Sequence, residues 1–166
     1  MKAAIGREEV GRGEESVWDY PRPPSLERTP KRLEVFLSGV KIAETNRGYR
    51  VLETSHPPVY YFPPEDVSME YLRPADVTTF CEWKGSASYF AIAVGDKIRP
   101  EAAWAYLDPS PAFKEIAGYI AFYPGQMDEC RVDGVLVMPQ PGGFYGGWIT
   151  PEIKGPFKGG PGSRGW

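Results

Sequence analysis

Histidine and cysteine are scarce in this sequence, and their scarcity excludes several kinds of site. The 166 residues contain one histidine, His56, and two cysteines, Cys81 and Cys130. A structural zinc site normally takes four cysteine or histidine ligands, so we predict no metal site, and we predict no cofactor of another kind. In a reducing compartment, two buried free thiols are favoured over a disulfide.

Excess positive charge and long apolar runs are also absent. The formal net charge is -3, whereas proteins that bind nucleic acid usually carry a basic excess that neutralises phosphates. We therefore expect no nucleic-acid partner. The sequence has no stretch of the roughly 18 apolar residues that a membrane helix needs, and its first residues are too charged for a secretion signal. We expect a cytoplasmic protein without a membrane partner.

Glycine and proline are abundant. The chain has 19 glycines and 18 prolines, together well above the roughly 12% of an average protein. Such a composition favours many turns and few long helices. Short alternating segments between the turns predict strands, which lie at 33–37, 40–44, 49–54, 59–62, 78–83, 86–94, 97–98, 102–107, 118–123 and 132–138.

The fold class that these segments predict is mainly β. We expect a single compact antiparallel barrel, or two packed sheets of short strands, with one or two short helical turns near 64–73 and 111–117. Residues 1–32 are predicted as an arm and 33–138 as the β-rich domain. Residues 139–166, called the tail below, combine glycine and proline with aromatic and large apolar side chains that include Phe144, Tyr145, Trp148, Ile149, Phe157 and Trp166, so we expect the tail to pack on the body or on a second subunit.

The richest group of polar residues lies around 47–61. Alternation along a strand places Arg47 and Glu53 on one face and Arg50 on the other. Either Arg47 pairs with Glu53, or Arg50 points into an enclosed space and binds an anion, and a structural ion pair is a further interpretation of these charges. His56 is either a catalytic group or a side chain that stabilises the turn before two prolines.

Lys84 ends an aromatic segment immediately before a glycine. Its ammonium is a candidate contact for phosphate or carboxylate, or a Schiff-base amine, or a solvated loop charge. The sequence has neither the glycine-serine-glycine elbow of the α/β-hydrolases nor a phosphate-binding loop. The sequence assigns no catalytic residue.

Several ordered motifs resemble one known family. They are the run from Arg50 to Val67, the segments Cys81–Gly85 and Gly118–Pro124, and Val132-Asp133-Gly134, and they closely resemble the family called domain of unknown function 427. The tail segment 141–150 is similar to that of a longer subgroup. The resemblance implies a compact, mainly β domain, and the family sometimes carries a nucleotidyltransferase-like label.

We predict from these residues a domain that binds a small anionic or aromatic ligand in a cleft, because ligand sites are mostly apolar with a few convergent polar groups. One alternative is a module for protein interaction or self-assembly, with a homo-oligomer held by the arm and tail. A second alternative is a nucleotidyltransferase-like enzyme. The predicted ligand-binding residues are Arg50, Glu53, His56, Tyr60, Lys84, Trp104 and Tyr106.

Overall fold

A computed structural model of the chain describes residues 6–166. In this part of the chain the regular structure is almost entirely β, with short 3₁₀ turns between strands. The strands are β1 (Glu15–Ser16), β2 (Ser25–Thr29), β3 (Leu33–Leu37), β4 (Val40–Thr45), β5 (Gly48–Leu52), β6 (Val59–Tyr61), β7 (Leu72–Cys81), β8 (Gly85–Val94), β9 (Lys97–Ala105), β10 (Ala121–Phe122), β11 (Glu129–Val132), β12 (Val135–Leu136), β13 (Met138–Pro139), β14 (Trp148–Ile149) and β15 (Ile153–Lys154).

Three antiparallel sheets form the body. Their strand orders are β10-β9-β8-β7, β12-β11-β3-β4 and β2-β5-β6. Two small pairs complete the fold, since β13 pairs with β14 and β1 runs parallel to β15. The prediction of a mainly β fold is confirmed. The arrangement is one of several sheets rather than the two that were predicted as the alternative to a barrel, and the described strands do not close into a barrel.

A large apolar core lies between the sheets. It contains fully buried side chains from β3, β4, β8 and β9, among them Leu33, Val35, Ile42 and Ile92. Trp148 of the tail belongs to the same core and is completely buried. A second apolar cluster lies between β5-β6 and β8-β9, and includes Tyr61 and Trp104. Both faces of the β5-β6 pair are therefore covered by other parts of the chain.

The strand bounds differ from the prediction at several turns. Segments 97–98 and 102–107 were predicted as two strands, but β9 runs through Pro100 without a break. Proline fits there because the pairing with β8 shifts register between Arg99 and Ala103 and β10 pairs only with Ala103 and Trp104, so the missing N–H of Pro100 interrupts neither ladder. Segment 132–138 was predicted as one strand, but it turns at Asp133 and Gly134, both with positive φ, which joins β11 to β12 as a hairpin.

The region predicted as an arm without strands contains β2, which pairs with the whole of β5 from Ser25↔Leu52 to Thr29↔Gly48. Its sequence, SLERT, shows no clear apolar alternation, so periodicity alone gives no signal for it. In the part of the chain that the structure describes, the helical elements are the 3₁₀ turns Val17–Asp19, Pro64–Asp66, Met69–Tyr71, Pro111–Ile116 and Pro124–Gln126. Across residues 6–166, none of these turns is long and apolar enough to span a membrane.

Candidate functional site

A cavity of about 330 Å³ lies between the second apolar cluster and the tail. Its walls come from β5, β6, the β7-β8 hairpin and β9, and the tail contributes one side. Five of the seven predicted ligand-binding residues line it, and two do not. The five are Glu53, His56, Lys84, Trp104 and Tyr106.

Strand register decides which side chains reach the cavity. In the β5-β6 pair, Val51 lies opposite Val59 and Tyr49 opposite Tyr61, so these four side chains share one face. Val51, Val59 and Tyr61 of this face line the cavity. Glu53 continues the same parity beyond the end of β5, which explains why its carboxylate also lies there.

Arg50 and Tyr60 face the opposite way, because they are register partners one position out of phase with the cavity face. Arg50 donates to both carboxylate oxygens of Glu15 at 2.8 and 2.9 Å and to Glu27 at 2.9 Å. Tyr60 is 2% exposed, and its ring packs on Trp148 at a centroid distance of 5.1 Å. Arg50 thus forms a structural ion pair, one of the interpretations that the sequence left open.

The predicted alternative in which Arg47 pairs with Glu53 is not what the structure contains. Arg47 donates to Asp66 at 2.9 and 3.1 Å, because the Pro64–Asp66 turn brings that carboxylate next to the end of β4. Glu53 instead lies 3.5 Å from the guanidinium of Arg22.

Lys84 projects from the turn between β7 and β8. Two hydrogen bonds hold this turn, since the Lys84 carbonyl accepts from Ser110 N–H at 3.0 Å and the Ser110 hydroxyl donates to the Trp83 carbonyl at 2.6 Å. The ammonium lies 5.7 Å above the ring of Tyr106 and 5.8 Å above that of Phe113, within the range of cation–π attraction.

Among residues 6–166, no carboxylate forms an ion pair with this ammonium. In the described residues the lysines that form ion pairs are Lys31, Lys41, Lys97 and Lys154, and Lys84 is not one of them. A half-buried cation that is held over aromatic rings and lacks a counter-ion attracts an anion.

His56 is buried on the cavity wall. Its Nδ1 lies 3.1 Å from Nε2 of Gln140, its Nε2 lies 3.8 Å from a carboxylate oxygen of Glu53, and its ring meets that of Tyr145 edge-on at 4.7 Å. Burial, with further repulsion from Lys158, Arg22 and Lys84, lowers the pKa of His56 to about 4. The imidazole is therefore neutral at physiological pH.

The apolar walls carry phenol groups. Tyr61 is 1% exposed and Tyr106 is 6% exposed, and burial raises the pKa of both hydroxyls. They remain neutral phenols at physiological pH, able to donate or accept a hydrogen bond. Trp104 packs on Tyr123 with a centroid distance of 4.6 Å. Flat aromatic surfaces and neutral hydroxyls together favour a ligand with an unsaturated ring.

The tail supplies residues that the sequence analysis did not assign to the site. They include Gln140, Tyr145, Gly146 and Lys158. A Cβ added at Gly146 would overlap the indole of Trp104, so the absence of a side chain lets the tail pass directly over the cavity.

The low pKa of His56 predicts a specific pH dependence of stability. The unfolded chain takes up a proton near pH 6.5, whereas the folded chain takes it up near pH 4. The contribution of His56 to the stability of the folded state is complete above its pKa in the unfolded chain. It is lost as the pH falls toward its pKa in the folded chain. Between pH 7 and about 4.5, the free energy of unfolding of the wild-type protein should fall by about 2–3 kcal/mol more than that of His56→Gln.

Urea unfolding at a series of pH values measures this difference. The chain has one histidine, so the two proteins differ in a single imidazole, and all acidic residues cancel in the comparison. Stability curves that run parallel across this pH interval would contradict the burial of a neutral His56.

The middle of the chain matches a known protein family. The profile of a family described as a domain of unknown function, DUF427, matches residues 25–133, which is more than half of the chain and contains β2 through β11. No curated protein matches the sequence. Within the described residues, no group of three or more histidine, cysteine, aspartate or glutamate side chains could hold a metal ion.

Proposed function

We propose that this chain, which belongs to the DUF427 family, binds a small aromatic molecule that carries an anionic group. The observation that carries the proposal is the ammonium of Lys84, which lies on the wall of an aromatic cavity without a carboxylate partner in the described residues. The ring of the ligand lies against Trp104 and Tyr106, and its anion meets Lys84 and the N–H of His56.

The size and charge of the cavity support this ligand class. A volume of about 330 Å³ lies at the small end of ligand sites and suits one ring with a short acidic side chain. The cations that act on His56 are Lys158, Arg22 and Lys84. The cavity is lined by Lys84 and Lys158 and by the carboxylates of Glu53 and Glu82. Glu82 is exposed and Glu53 lies 3.5 Å from the Arg22 guanidinium, so the two lysines are the charges left for an anion.

We place this binding activity in the cytoplasm. Both cysteines are free thiols in the structure, which suits a reducing compartment. Cys81 lines the cavity beside the aromatic residues, and Cys130 is buried in the main core.

Thermal unfolding in the presence of matched small molecules tests the proposal. Phenylacetate and benzoate should raise the melting temperature, since a ligand at about 100 times its Kd stabilises the folded state by about 2.7 kcal/mol. The uncharged analogues phenylacetamide and benzamide, which have the same rings, should raise it less. Equal shifts for acids and amides would refute the anion contact, and no shift with any of the four would refute the ligand class.

The same measurement addresses the nucleotidyltransferase-like alternative. Nucleoside triphosphates with Mg²⁺ should give no shift if the cavity takes only a small aromatic anion. A shift with nucleotide and Mg²⁺, together with none for the aromatic acids, would replace the proposed function with that alternative.

A further inference from the structure

The side-chain amide of Gln140 is held in one orientation by two backbone groups. Its Oε1 accepts from Gly147 N–H at 3.1 Å, and its Nε2 donates to the Lys158 carbonyl at 2.9 Å. Turning the amide over would set its NH₂ against an N–H and its oxygen against a carbonyl, and Gln140 is 3% exposed, so water could not compensate. One Nε2 proton is left, and it faces Nδ1 of His56 at 3.1 Å.

This hydrogen bond determines the tautomer of His56. Because Gln140 donates, Nδ1 must accept, and the proton of the neutral imidazole must be on Nε2. Nε2 faces Glu53 at 3.8 Å, which is too long for a hydrogen bond. The Nε2–H group therefore stands at the cavity wall with no acceptor within hydrogen-bond distance among residues 6–166.

We propose that Gln140 is a positioning residue that fixes His56 as a hydrogen-bond donor toward the cavity, so that His56 binds an acceptor oxygen of the ligand and cannot remove a proton from it. The only lone pair of the neutral ring lies on Nδ1 and is engaged by Gln140. The part of this proposal that concerns the ligand rests on the proposed function, and the tautomer does not.

The fixed tautomer restricts the chemical group of the ligand that can meet His56. The group that meets His56 is an acceptor oxygen, such as that of a carboxylate or a carbonyl, since an ammonium would bring a second donor against Nε2–H. General-base catalysis through His56 is excluded, because that role requires a free lone pair directed at the substrate.

The residues that set this chemistry lie outside the region matched by the family. Gln140, Gly147 and Lys158 all belong to the tail, whereas the match ends at residue 133. We infer that the tail gives the cavity its donor character. A family member without an equivalent amide would present His56 in either tautomer.

Nitrogen-15 NMR of the imidazole in the ligand-free protein tests the tautomer directly. The chain has a single histidine, so the two ring signals need no further assignment to a residue. At neutral pH the wild-type protein should show a pyridine-like Nδ1 and a pyrrole-like Nε2. A pyrrole-like Nδ1, or averaged signals of two tautomers, would overturn the proposal.

Gln140→Glu provides the reverse experiment. A carboxylate in place of the amide can only accept from His56, so Nδ1 should become protonated and pyrrole-like, and the affinity for phenylacetate should fall about tenfold. Gln126→Glu is the matched control, since Gln126 is exposed and the same added charge there should leave both signals and affinity unchanged. An unaltered Nδ1 signal in Gln140→Glu would overturn the assignment of Gln140.

The two measurements separate this inference from the proposed function. The wild-type spectrum decides the tautomer without any ligand, and it does so even if Gln140→Glu fails to fold. Phenylacetate binding with the wrong tautomer would refute the role of Gln140 alone. The predicted tautomer without phenylacetate binding would refute the aromatic anion alone.

Discussion

Replacing Lys84 with methionine should weaken the binding of phenylacetate by about 10- to 100-fold, since a hydrogen bond between charged groups contributes about 1.5–3 kcal/mol. Methionine keeps most of the side-chain length and its contact with Tyr106 and Phe113, so the loss reports the charge. Affinity for phenylacetamide should change little. Isothermal titration calorimetry of both compounds measures the two effects.

Lys114→Met is the matched control for that experiment. Lys114 is exposed on the Pro111–Ile116 turn and does not line the cavity. Removing its charge changes the net charge of the protein by the same amount, so any general electrostatic effect on an anion appears in both variants. Equal losses in the two variants would show that Lys84 does not contact the ligand.

The second large effect is expected on stability, from Trp148→Ala. The Trp148 side chain is completely buried, packs on Tyr60 and Phe62 at centroid distances of 5.1 and 6.0 Å, and donates from Nε1 to the Phe122 carbonyl at 3.2 Å. Truncating a buried tryptophan usually costs about 3–5 kcal/mol. Equilibrium unfolding in urea should show a loss of this size.

Phe144→Ala serves as the control from the same tail. Phe144 is 72% exposed, so its truncation should change the free energy of unfolding by no more than about 0.5 kcal/mol. If Trp148→Ala were as mild as Phe144→Ala, the tail would contribute nothing to the core, and its place on the cavity would lose its support.

Alternation along a strand predicts which residues share a face, but it does not predict which face meets the cavity. The sequence places Arg50 and Glu53 on opposite faces, and the structure agrees. Both faces of β5-β6 are covered, one by the main core and one by the second cluster, so hydrophobicity does not distinguish them. The face that carries Arg50 is directed away from the cavity because Glu15 of β1 and Glu27 of β2 bind the guanidinium on that side.

The site residues supplied by the tail were harder to predict than those supplied by strands. Lys84, Trp104 and Tyr106 belong to or flank strands whose pattern is visible in the sequence. Gln140 lies in irregular backbone, where no period relates a residue to its neighbours in space. Its role depends on two backbone contacts and one ring nitrogen, and these become visible only when the chain is folded.

The parallel pair of β1 and β15 joins Glu15 to Ile153 and Ser16 to Lys154, and both strands lie outside the region matched by the family. Each strand is the other's only ladder partner among the described strands. A chain without β15 would leave β1 unpaired, and a chain without β1 would leave β15 unpaired. Glu15 belongs to β1, so loss of β1 would also remove a carboxylate that binds Arg50. Homologues should therefore contain both β1 and β15 or neither, because the two strands form one structural unit outside the shared domain.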